Sequence, residues 1–182
     1  MSREGLVPRL LDVVTLAVRA HHGQVRKGAL AEPYVLHPIE VARMVTEAGA
    51  DDDTILAALL HDVVEDSDTT TDDIARDFGR AVAELVAEVT DDPTIEGLPR
   101  PERKARQAQH IARASRPAKQ IKIADQTSNI EDLTRMPDAA PPEGHESYRQ
   151  GAIRVVDACR GACPPLEARF DAAIEAHRKA AP

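Results

Sequence analysis

The stretch DDDTILAALLHDVVED (residues 51–66) decides how the rest of the chain is read. Three acidic residues open it, where the positive end of a helix dipole favours negative charge, and an apolar run follows. Placed at about 100° per residue, Leu56, Leu59, Leu60, Val63 and Val64 share one sector, and His61, Asp62, Glu65 and Asp66 occupy the opposite one. One amphipathic helix is therefore expected across the whole stretch. Its polar face fits two readings. Most charged helix faces are simply solvated. However, Asp62 and Asp66 put like charges one turn apart, a conflict that a bound cation removes.

Outward from this helix the hydrophobic spacing stays helical. Leu6, Leu10, Val13, Val14 and Ala17 suit a first helix ending near His21 and His22. GQVRKGALAEPYVLHP (23–38) is loop-like, and Pro38 suits the first turn of a second helix that Gly49 would end. SDTTTDDIARDFG (67–79) begins with hydroxyl caps and stops at Gly79. RAVAELVAEVT (80–90) is apolar on one side. Residues 91–101 carry Pro93, Pro99 and Pro101 and read as a loop. Helical segments follow at 102–115 and 118–133, then a break, MPDAAPPEGH (136–145), and last helices from about Ser147 to Cys163 and Leu166 to Lys179. With no repeat and no convincing strand pair, the expectation is one all-α domain over residues 1–182, a bundle of about eight helices.

Composition agrees. The chain has 182 residues, enough for one domain with a sizeable core. Hydrophobic residues make up 42% and aromatics only 2%, so aliphatic side chains must fill the interior. The net charge of −8 argues against non-specific nucleic-acid binding, which rests on Lys and Arg neutralising phosphates. No apolar run approaches the roughly 18 residues of a membrane span, and charges at Arg3, Glu4, Arg9, Asp12 and Arg19 break up any signal-peptide core. A cytoplasmic location is expected. Cys159 and Cys163 are neither a thiolate metal site nor a disulfide framework, and are expected to be reduced structural thiols.

Other candidate ligands stand in apolar settings. His37 lies in PYVLHPIEV (33–41), among residues that should carry it into the core. Asp125 lies four residues after Ile121, on the same side of a helix, and a buried carboxylate must be paired or coordinated. Asp125 and Asn129 form a second polar pair at i, i+4. Helix bundles do build metal sites from such convergent side chains. Two imidazoles and two carboxylates without thiolate suit Mn, Fe, Co or Zn better than Ca. Spacing alone leaves both convergence and a solvated surface open.

His37, the HD pair at 61–62 and Asp125 resemble the H…HD…D signature of HD-domain metal-dependent phosphohydrolases. The ordered set R-K…PY-x-x-HP…HD-x-x-ED…FG…VTD…K-x-AD-x-x-x-N is narrower. It resembles the hydrolase domain of RelA/SpoT homologues over roughly residues 10–160. The chain ends where the long bifunctional enzymes would continue, and the longer spacing from Arg26–Lys27 to His37 leans the same way. The expectation is a stand-alone small alarmone hydrolase with an all-α HD bundle of about ten helices.

The resemblance implies removal of the 3′-pyrophosphate from ppGpp or pppGpp with one Mn2+ ion, other divalent metals being possible. It implies metal ligation by His37, His61, Asp62 and Asp125, and handling of the attacking water by Glu65 and Asp66. Substrate contacts would come from Arg26, Lys27, Asn129 and Tyr148. Lys122, and less directly Lys104, would offset phosphate charge. An Arg plane over the purine, with Tyr34 or Tyr148 nearby, is expected to replace extensive aromatic stacking. The partner is thus a small-molecule nucleotide, with no nucleic acid and no membrane. Gln126 and Thr127 depart from the family's usual basic and apolar residues. They leave adenosine alarmones such as ppApp, or NADPH 2′-phosphate, as alternative substrates.

Overall fold

The computed structural model describes residues 5–139 and 142–180. Helices α1 (Leu6–Ala20), α2 (Leu36–Glu47), α3 (Asp52–Leu60), α4 (Val63–Asp66), α5 (Thr71–Phe78) and α6 (Arg80–Val89) form the first half. A 3-10 turn, Pro93–Ile95, leads to α7 (Arg100–Ile111) and α8 (Arg116–Arg135), and a second, Pro137–Ala139, to α9 (Pro142–Asp157) and α10 (Pro164–Ala180). Among the described residues the only β pairing is an isolated bridge between Val25 and Pro33. The all-α class read from the sequence is the class observed.

Local chemistry explains most boundaries. Asp51 caps α3 by accepting the Thr54 N–H at 2.8 Å. Thr70 and Asp73 form a reciprocal capping box on α5. Gly79, at φ 99°, takes the turn from α5 to α6 in a conformation that side-chain-bearing residues rarely adopt. Ser115 caps α8, with Pro117 in its first turn.

Two expected elements differ. The helix expected over 51–66 is interrupted: α3 ends at Leu60, His61 and Asp62 form a turn, and α4 resumes at Val63. No Pro or Gly lies there. Asp62 sits at φ −101° and ψ −6°, with its carboxylate drawn to side chains from elsewhere in the fold, so the cause is tertiary. At the other end, α9 starts at Pro142 and stops at Asp157, earlier at both ends than the pattern indicated. The MPDAAPPEGH break is therefore shorter, because Pro at a first helical position is tolerated.

Helix α8 is the axis of the bundle, packed against α2, α3, α6, α7, α9 and α10. Its buried residues include Ile121, Ile123, Ala124 and Ile130 but also Lys122, Asp125, Gln126, Ser128 and Asp132. A helix buried all round is normally apolar, so these buried polar side chains, and Thr127 with them, require partners. The aliphatic core, with Phe170, surrounds them. Cys159 and Cys163 are buried and free, and burial pushes the Cys159 thiol up to about 12.

Candidate metal and phosphate site

Three segments converge on α8. His37 enters from the first turn of α2 and is 1% exposed. His61 and Asp62 come from the α3–α4 turn, and Asp125 from the middle of α8. His37 Nε2 lies 3.3 Å from Asp125 Oδ1 and 3.7 Å from Asp62 Oδ2. His61 Nε2 lies 3.1 Å from Asp62 Oδ2. One ligand atom from each of His37, His61 and Asp62 falls within 4.8 Å of the others.

The hydrogen bonds behind the rings say which atoms face inward. His61 Nδ1 is 2.9 Å from Ala58 O, and a carbonyl can only accept, so Nδ1 carries a proton. His61 Nε2 is buried with no hydrogen-bond partner. Nε2 is therefore the atom that faces the carboxylate oxygens, an arrangement that calls for a cation, either a proton or a metal ion, between them. Burial disfavours a charge on His61, but Asp62 and Asp125 outweigh it and push its pKa up to about 9. Burial likewise opposes ionisation of Asp125, yet Lys122 and His37 hold it well below the usual carboxylate range. His37 is shifted down by burial and stays neutral. The donor set, two largely buried imidazoles and two anionic carboxylates, fits a divalent transition metal.

A ring of polar residues fixes this set. Tyr34 donates to Asp62 Oδ2 at 2.6 Å. Asn129 donates to Asp125 Oδ1 at 2.6 Å and Gln126 to Asp125 Oδ2 at 2.7 Å. Lys122 Nζ stands 3.6 Å from Asp125 Oδ2. Lys104, from α7, donates to Gln126 Oε1 at 3.0 Å. An ammonium only donates, so it orients the Gln126 amide with its N–H toward Asp125. Lys104 lies flat along α9 at Gly151, where a Cβ would come within 2.9 Å of Lys104 Cγ. Burial lowers its pKa to about 8.

Two cavities flank the centre. The first, of about 460 Å³, is lined by the acidic Glu65 and Asp66 and by the basic Arg100, Arg103 and Lys104. The second, of about 240 Å³, is lined by Arg26, Lys27, Tyr34, Asn129 and Leu133. Arg100 and Tyr148 border both, and the guanidinium lies 4.2 Å from the Tyr148 ring centre. Glu65 opens to the first cavity and accepts the Asp91 N–H at 2.6 Å. Burial by the cavity walls pushes its pKa up to about 7. Burial and then Asp62 also raise Asp66.

The residues expected at the site are thus together, with differences in detail. Arg26, Lys27, Asn129 and Tyr148 line one cavity, whereas Lys122 lines neither and stands behind Asp125. Arg26 is also ion-paired with the buried Asp132. Its guanidinium lies 5.8 Å from the Tyr34 ring centre. Spacing did not reveal His21, which donates from Nδ1 to Gln24 at 2.9 Å, stands 3.5 Å from Asp66 and packs at a tilt of 47° against the Tyr34 ring. Arg100 was equally hidden, in a segment that reads as a Pro-rich loop.

Comparison with known proteins gives a consistent picture. Residues 14–150 match the HD domain family. Over 166 residues the chain is 43% identical to human (Homo sapiens) guanosine-3′,5′-bis(diphosphate) 3′-pyrophosphohydrolase MESH1, covering 87% of this chain and 89% of that one. It is 37% identical over 136 residues to the bifunctional (p)ppGpp synthase/hydrolase SpoT of Escherichia coli strain K12, covering 71% of this chain but 19% of that longer protein. A solved structure described as a metazoan ortholog of SpoT that hydrolyzes ppGpp superposes with a TM-score of 0.84 at 37% identity. That alignment covers 92% of this chain and 94% of that one.

Proposed function

The chain belongs to the HD domain family, and from that premise we propose that it is a ppGpp and pppGpp 3′-pyrophosphohydrolase dependent on one Mn2+ ion. The observation that carries the proposal is the convergence of His37, His61, Asp62 and Asp125 between an acid-edged cavity and a basic one. Relatives matched over about nine-tenths of their length are described as hydrolysing ppGpp.

His37 Nε2, His61 Nε2 and the Asp62 and Asp125 carboxylates would hold the ion. When bound, it supplies Lewis acidity toward water and a phosphoryl oxygen. Arg26, Lys27, Asn129 and Tyr148 would hold the nucleoside end in the smaller cavity. Arg100, Arg103 and Lys104 would face the phosphates, whose charge an overall acidic protein must offset locally. Glu65 Oε1 is held by Asp91 N–H, which leaves Oε2 to take a proton from the attacking water while Asp66 orients it. The bond from phosphorus to ribose O3′ breaks, hydroxyl joins the phosphorus, and the proton ends on O3′. GDP or GTP leaves with intact pyrophosphate. A cytoplasmic setting accords with this substrate, and no helix among the described residues is long and apolar enough to cross a membrane.

The test is product analysis with Mn2+ and with chelator, on ppGpp beside ppApp and NADPH. GDP and intact pyrophosphate from ppGpp, abolished by chelation, are expected. Intact ppGpp alongside turnover of another phosphate ester would overturn the reading.

A further inference from the structure

His37 and His61 are oriented by different means. His61 leans on a backbone carbonyl of its own helix, Ala58 O. His37 leans on side chains alone. Its Nδ1 lies 3.0 Å from the Oγ of Ser128, which comes from α8 and is fully buried. The Ser128 hydroxyl in turn donates to Glu40 Oε2 at 2.8 Å. Glu40 stands one turn after His37 on α2, so the relay leaves α2, crosses to α8 and returns.

Counting protons gives the relay a direction. An ionised carboxylate has none to give, and a serine hydroxyl has one. Ser128 spends it on Glu40 and must therefore receive from His37, whose Nδ1 carries the proton. His37 Nε2 is then left as a lone pair facing Asp62 and Asp125. The direction is set by a negative charge two bonds from the ring, and such a partner also raises the basicity of the imidazole.

We propose that Glu40 and Ser128 are positioning residues that lock His37 in the Nδ1–H tautomer and so present its Nε2 to the metal. The proposal rests on the reading of His37 as a ligand. Glu40→Gln is the sharpest variant, because it keeps the shape while allowing the relay to run backwards. The Gln amide donates to Ser128, Ser128 donates to Nδ1, and the proton moves to Nε2, where it blocks the ion. Ser128→Ala removes the relay altogether.

Two readouts on the whole chain decide the matter. Long-range 1H–15N correlation of the histidine rings, in chelator-treated protein, should give the Nδ1–H pattern for His37 in the wild type and Nε2–H character in Glu40→Gln. Calorimetric titration with Mn2+ should show affinity weakened about 10- to 100-fold in both variants, with the melting temperature of chelated Glu40→Gln unchanged. An Nε2–H pattern in the wild type, or wild-type Mn2+ affinity in Glu40→Gln, overturns the relay. Failure of the wild type to bind Mn2+ would instead strike the metal reading, while the tautomer pattern still decides the direction of the relay.

Discussion

His61 Nε2 stands 3.1 Å from Asp62 Oδ2 with no hydrogen-bond partner of its own, although the two residues are neighbours in the chain. In a continuous helix their side chains would diverge by about 100°. The turn between α3 and α4 brings them to one point, with His37 and Asp125 completing the set.

The two carboxylates near His61 stabilise a positive charge there, and in the absence of an ion a proton supplies it. A divalent ion must displace that proton, held up to about pH 9. Mn2+ binding should therefore release a proton near neutrality, and affinity should rise as pH increases toward 9. Calorimetry in buffers of different ionisation enthalpy measures the proton count. At an Mn2+ concentration 100 times its dissociation constant, the ion should add about 2.7 kcal/mol to stability, lost on chelation.

As the proposed base, Glu65 must be ionised to work, so the rate should climb as pH passes about 7. Glu65→Gln should abolish that limb and lower kcat by about 100-fold or more. Stability runs the other way. The fold holds the Glu65 proton to about 7 rather than the ordinary 4.5, so it binds more protons than the unfolded chain across that window. Its stability contribution should fall as pH rises through it, a trend absent in the Gln variant on denaturant titration.

Lys104 reaches Gln126 along a path that Gly151 leaves open. Lys104→Met should raise KM for ppGpp about tenfold or more, the scale of one charge-assisted hydrogen bond, with little change in melting temperature. Gly151→Ala should do the same by displacing the Lys104 stem. Above about pH 8, where Lys104 loses its charge, the wild-type KM should rise toward that of Lys104→Met.

Arg26 and Lys27 are adjacent but unequal. Arg26 is buried and paired with buried Asp132, whereas Lys27 is exposed. Arg26→Ala should cost about 1–3 kcal/mol of stability, because buried Asp132 loses one cation and keeps Arg135, 2.6 Å from its Oδ1. Lys27→Ala should stay within about 0.5 kcal/mol. Both should raise KM, so denaturant titration beside kinetics separates the two roles.

Helix class and most boundaries were legible because they depend on neighbours in the chain: the caps at Asp51 and Thr70, the stop at Gly79, the apolar period of α1 and α6. The residue types of the site were legible too, since a His or an Asp in an apolar setting is costly wherever the chain folds. The break at Asp62 was not, because no local breaker causes it. Nor were the roles of Glu40 and His21, ordinary polar residues until another helix supplies a partner. Sequence by itself determined an all-α chain and singled out His37, His61, Asp62 and Asp125 as candidate ligands. Only the tertiary structure decided which nitrogen of each histidine faces inward and that Lys122 stands behind the site. Proton positions and charge pairings are set by atoms within about 4 Å, and in a bundle most of those atoms come from distant parts of the chain.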